Sequence, residues 1–326
     1  MDTTLARLKD ALPVLVMPIF LIIVELGALL LASPVQSAGL VAFEDPESVA
    51  NPFIFLAIIL GFTIVLLVLI KYALKKVIAA IIGVAIFFTF CFVFAAIVYG
   101  LANISTSGTG AWWEDIVPAV LVYSTTAETL VATTLVLGLS VIATLLLYKY
   151  PEWYVIDLLG LLLASGVASI FGASLDVLPV ILLLAILAVY DAISVYKTKH
   201  MLTLAEGVMD LKTPILFVIP KKRDYSFIKE GIGKIEEGSE RSAFIIGMGD
   251  LIMPAILVVS AALFTHGTKY FGLFNLPTLG AILGSVCGLV VLLHFVMSGK
   301  PQAGLPPLNG GTILGFLIGW ALIGFV

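Results

Sequence analysis

The sequence predicts an all-α integral membrane protein with nine transmembrane helices, and three observations carry that prediction. Hydrophobic residues make up 61% of the 326 positions and charged residues only 12%. The apolar residues fall in runs of about 20, enough to cross a ~30 Å hydrocarbon layer as a helix. The basic residues sit between these runs and gather in alternate connections, as a chain crossing a membrane repeatedly requires. Only helices and closed barrels keep their amides paired in lipid, and runs of this length are helical.

Taken in order, the first run, 12–31, follows Arg7 and Lys9 and is longer than a signal-peptide core, so it is read as a retained helix. Glu25 lies inside it and should either hydrogen-bond to a neighbouring helix or face a wet cleft. Runs 53–70 and 77–99 are divided by Lys71, Lys75 and Lys76. The next outer connection ends in Trp112, Trp113, Glu114 and Asp115, a pair of indoles suited to the membrane interface. Helices are expected at 129–148 and 154–171, with Asp157, four residues from Trp153, reaching back toward the interface. The remaining spans are 177–196, 242–264, 276–297 and 304–325. Residues 1–326 thus form a single polytopic membrane domain, and its one long connection is 197–241. Within that connection 201–212 has the pattern of a surface amphipathic helix, and 214–220 is an apolar stretch too short to span.

Orientation follows from charge. A cytoplasmic N-terminus gives the inner side Arg7, Lys9, Lys71, Lys75, Lys76, Lys149, Lys197, Lys199, Lys212, Lys221, Lys222, Arg223, Lys229, Lys234, Arg241 and Lys300, and leaves the outer side Lys269 alone. Sixteen against one is a strong positive-inside bias and puts the C-terminus outside. With the basic residues serving orientation, nothing argues for nucleic acid. Cys91 and Cys287 lie within spans as small packing residues.

Two acids stand where lipid penalises charge. Asp191 closes the run that begins at Ile181, and Asp250 follows Gly247, Met248 and Gly249. An acid in hydrocarbon is a functional-site candidate by default. Counted from Lys197 and Arg241 at about 1.5 Å per residue, they lie roughly 9 Å and 13 Å below the inner surface. Leu305, Pro306, Pro307 and Leu308 begin five residues after Lys300 and meet the same layer. Gly247 and Gly249 should let another backbone approach Asp250, and the proline-broken segment should offer irregular backbone to an extended substrate.

Paired carboxyls share a proton, so one can activate water while the other donates to a carbonyl. That chemistry hydrolyses a peptide bond and needs no cofactor or metal. Zinc-protease, serine-hydrolase and phosphate-loop motifs are lacking in the sequence. The alternative is a cation- or proton-coupled transporter, but the acids lie toward one face rather than at the midplane, and no inverted repeat is visible.

Tyr190-Asp191, Gly247-Met248-Gly249-Asp250 and the Pro-Pro-Leu at 306–308 resemble the three motifs of the presenilin and signal peptide peptidase group of intramembrane aspartyl proteases. The third motif departs from the family's Pro-Ala-Leu, with Pro307 at the alanine position. The resemblance implies catalysis by Asp191 and Asp250, with Tyr190, Gly247, Met248, Gly249, Leu305, Pro306, Pro307 and Leu308 as active-site motif and positioning residues. It further implies transmembrane-helix proteins as substrates and the lipid bilayer as surroundings. The short loops look like those of a microbial relative, so no obligatory subunit is expected, while an oligomer stays open.

Overall fold

The computed structural model describes residues 2–72, 74–106, 126–198, 216–220, 225–230, 243–296 and 302–323. The tryptophan pair, the 201–212 segment and most of the 197–241 connection lie outside the described residues. Among the described residues nine apolar helices run in order: α1 Asp2–Ser37, α2 Asn51–Lys71, α3 Lys75–Thr106, α4 Thr126–Lys149, α5 Trp153–Ser174, α6 Val177–Ile193, α7 Met248–Phe264, α8 Leu276–Val296 and α9 Leu305–Leu322. Eight of them are long enough to span a membrane, and α7 is shorter.

The shortness of α7 corrects one sequence expectation. Residues 243–247, read from the sequence as the start of helix seven, form strand β2, Ala243–Gly247. It pairs antiparallel with β1, Leu216–Pro220, in the register Leu216 to Gly247 and Pro220 to Ala243. Both strands are short and apolar, and apolar runs of five or six residues fit strand and helix equally well by pattern. Pairing decides between them, because each strand needs the other's amides.

Helix α7 sits at the centre and packs against α1, α5, α6, α8 and α9. Ala255 to Ala262 are buried without interruption, as expected of a helix apolar on every side. Residues at the end of α7 away from Asp250 fix the surrounding helices. The Asp176 side chain accepts from Val177 N at 2.6 Å and caps α6, while Ser260 on α7 donates to the Leu175 carbonyl at 2.8 Å. Asn275 caps α8 by accepting from Thr278 N at 2.9 Å.

The tightest helix pair is α8 against α9. Gly280, Gly284 and Gly288 on α8 face the backbone carbonyls of Gly315, Gly311 and Pro307 on α9, and a Cβ at any of the three would collide with backbone. Small residues four apart let helices touch backbone to backbone in lipid, where no hydrophobic drive holds them together. Helix α9, and with it Leu305–Leu308, is thereby seated on α8. Glu25 is fully buried on α1 and accepts from Ser285 Oγ of α8 at 2.6 Å, one of the two arrangements its sequence position allowed.

Candidate active site

Asp191 is buried near the C-terminal end of α6, just before the helix widens into the π-helical turn Ser194–Thr198. Such turns are rare and concentrate at functional sites. Tyr190 beside it is half-buried. Asp250 lies in the first turn of α7, where Gly247 in extended conformation (φ −67°, ψ 136°) converts β2 into helix. A carboxyl at a helix start meets unpaired amides and the positive end of the helix dipole. Asp250 is half-buried.

The third element meets both acids. Four amides at a helix start have no partner within the helix, and here Pro306 and Pro307 supply none. Gly304 and Leu305 keep theirs, and both turn to Asp191. Leu305 N donates to Asp191 Oδ2 at 3.0 Å, and the Gly304 amide engages the same carboxyl. Gly304 has no side chain to cap α9, so Asp191 performs that task from α6. On its other side Gly304 faces Asp250: a Cβ there would lie 3.2 Å from Oδ2 and 3.3 Å from Oδ1. The two carboxyls therefore flank the Gly304–Leu305 peptide, and Asp191 is near enough to act electrostatically on Asp250.

Neighbouring bonds hold this arrangement in place. Tyr196 in the π-helical turn donates to Gln302 Oε1 at 2.9 Å. One turn into α9, fully buried Asn309 donates to the Leu184 carbonyl of α6 at 3.0 Å. The segment before α9 and its first turns are thus tied to the helix that carries Asp191.

Three sequence expectations change in detail. Leu305–Leu308 is regular helix, with its prolines in the first turn where a missing donor is tolerated, so it does not offer irregular backbone. Gly247 and Gly249 do not serve helix packing: among the described residues the backbone beside Gly247 is that of its strand partner Leu216, and nothing lies within 4 Å of a Cβ at Gly249. A Cβ at Gly247 would sit 3.5 Å from Asp250's own Oδ2, and Gly249 is exposed beside open space. Asp157 does not reach the interface. It is buried and accepts from Val218 N of β1 at 2.8 Å. Met248 is buried against α5, where Gly160 leaves room for its methyl and for the Phe217 ring.

Sequence reasoning missed Gly304 and Asn309. The signal for Gly304 was present, since two prolines at a helix start leave the preceding amides as the donors available. Asn309 carries no motif that sets it apart from a solvated polar residue. Among the described residues no His, Cys, Asp and Glu cluster could hold a metal ion.

Comparisons with known proteins now decide the family. The model of the signal-peptide peptidase and presenilin aspartyl proteases matches residues 17–131 and 115–325. The chain belongs to this family. A presenilin family intramembrane aspartate protease solved in space group C222 is 46% identical, with a TM-score of 0.65 over 95% of this chain and 99% of that one. A second structure, in space group P2, is 47% identical, with a TM-score of 0.64 over 96% of this chain and 99% of that one. No curated protein matches significantly. The chain is thus a multi-pass intramembrane aspartyl protease, and membership implies membrane-embedded protein substrates. The transporter alternative finds no support in these likenesses.

Proposed function

We propose that Asp191 and Asp250 are the catalytic pair of this protease, cutting peptide bonds inside transmembrane helices of its substrates. The observation that carries the reading is the meeting of both carboxyls at the Gly304–Leu305 peptide, one bonded to its amide and the other against its glycine. A water molecule held between them loses a proton to one carboxylate as its oxygen attacks the scissile carbonyl carbon, while the other carboxyl gives its proton to the carbonyl oxygen. Collapse of the tetrahedral diol breaks the C–N bond, with a proton passing to the leaving amine. The protons belong to the pair, so neither residue is acid or base permanently.

A helical substrate hides its carbonyls and must be drawn out before attack. The support for an extended binding mode is the two-stranded sheet, whose β2 runs directly into Asp250 and whose outer edge has no third strand among the described residues. Gly249, exposed and without a side chain, leaves space beside the pair for a substrate backbone. Tyr190, Gly247, Met248 and Leu305–Leu308 position the two acids. The charge asymmetry supports a cytoplasmic N-terminus, and by family resemblance that orientation implies substrates whose N-termini face outward. The whole chain acts as one membrane domain without an obligatory subunit.

The test is cleavage of a transmembrane peptide by the purified protein in detergent. Asp191→Asn and Asp250→Asn should each abolish cleavage while circular dichroism stays that of the parent. Full activity in either variant would overturn the assignment.

A further inference from the structure

We propose that Asp157 is a positioning residue for substrate, pinning the β1–β2 sheet to α5 so that a peptide strand added to β2 lies in one register against Asp191 and Asp250. The inference rests on the proposed binding of substrate as an extended strand.

In an antiparallel pair, residues alternate between those whose amides face the partner strand and those whose amides face away. Val218 donates to Asp157, so the Val218–Ile245 pair is of the outward kind. The outward positions of β1 are then Leu216, Val218 and Pro220, and those of β2 are Ala243, Ile245 and Gly247. Proline has no N–H to give, which makes Val218 the outward donor inside β1. Its bond to Asp157 is buried, and Val218 itself is 1% exposed, so this edge is spent on α5 rather than offered to a ligand. The opposite edge, ending three residues before Asp250, is where the sheet can grow.

Asp157 and Gly160 share one face of α5 at helical spacing. Asp157 fixes the strand along its length, and Gly160 gives room to Phe217 of β1 and to Met248 next to the Gly247 hinge. One turn of α5 therefore holds both the sheet and the start of the helix carrying Asp250. Hydrophobic side chains alone would tolerate a slip of two residues, which keeps every side chain on its own face. A directional bond from a single amide does not.

The experiment reads product ends by mass spectrometry, together with KM and kcat, for a transmembrane peptide cut in detergent. Asp157→Ala should spread cleavage over neighbouring bonds and raise KM severalfold, with kcat less affected. Asp157→Asn, whose side-chain oxygen can accept the same bond, should keep the parent's pattern. A second variant separates positioning from mere satisfaction of a buried amide. Val218→Pro added to Asp157→Ala removes the orphaned donor, so a purely structural role predicts a return to the parent's single pattern. The positioning role predicts that the spread persists, because the pin is still missing. Parent-like product ends in Asp157→Ala or in the double variant would overturn the proposal, as would an Asn variant that scatters like Ala. Those outcomes leave the catalytic pair untouched, whereas cleavage surviving Asp250→Asn would remove the pair itself.

Discussion

Helix α2 and helix α9 invert the usual relation between hydrophobicity and burial. The α2 segment is the most apolar span, with mean hydropathy 3.3, yet only 6% of it is buried in the protein. The α9 segment is the least apolar, at 1.3, yet it lies against α8 over a run of backbone contacts and carries the peptide that both acids touch. In water the greasier helix would be the core. In a bilayer lipid already serves as apolar solvent, so Leu and Ile gain little by leaving it, and protein contacts fall to glycine, serine, asparagine and carboxyl groups.

The largest expected effect breaks α9 away from α8. Gly284→Ile places a branched side chain against the Gly311 carbonyl and the Gly315 backbone, neither of which can rotate aside. Overpacking of this kind costs about 3 kcal/mol or more. Thermal unfolding in detergent should fall accordingly, and cleavage should fall with it because Leu305 leaves Asp191. Unchanged stability and activity would mean that the glycine contacts do not hold the pair.

A smaller change in stability with a large change in rate is expected at Gly304. Gly304→Val forces a side chain into the Asp250 carboxyl without touching the α8–α9 contact. The fold should survive, while displacing one member of the proposed catalytic pair by about 1 Å can lower the rate on the order of 10²-fold. Equal losses of stability and rate, or no loss of rate, would speak against a site assembled around this peptide.

The same inversion explains what could be read from the sequence. Long apolar runs and charge placement are one-dimensional signals, so fold class and the residues where α6 ends and α9 begins were accessible. Asp191 and Asp250 stood out because an acid within an apolar run is costly unless used. The sheet did not stand out, since 214–220 is as apolar as the helices and only pairing with 243–247 tells it from an interfacial segment. Asp157 misled for a related reason. Four residues from Trp153 it could have reached water, but Val218 supplied a partner from more than sixty residues away in the chain. The glycine spacings at 280, 284 and 288 and at 311, 315 and 319 were legible in principle, as small residues four apart on two consecutive helices.

The smallest expected effect sharpens the comparison from the other side. Ile58 on α2 is 62% exposed to the space that lipid fills. Ile58→Ala removes apolar surface, but lipid tails move into the vacated volume, so no cavity penalty accompanies the loss. The change in unfolding stability should stay within about 0.5 kcal/mol, the range usual for surface substitutions. Ile256→Ala on α7 is the matching control, because that side chain is fully buried and its neighbours are protein. There the same truncation should cost about 2 to 5 kcal/mol, the added part being the cavity that fixed helices cannot close. Equal costs at the two sites, measured in the same detergent, would mean that α2 is covered by protein in solution, as a face between copies of the chain would be.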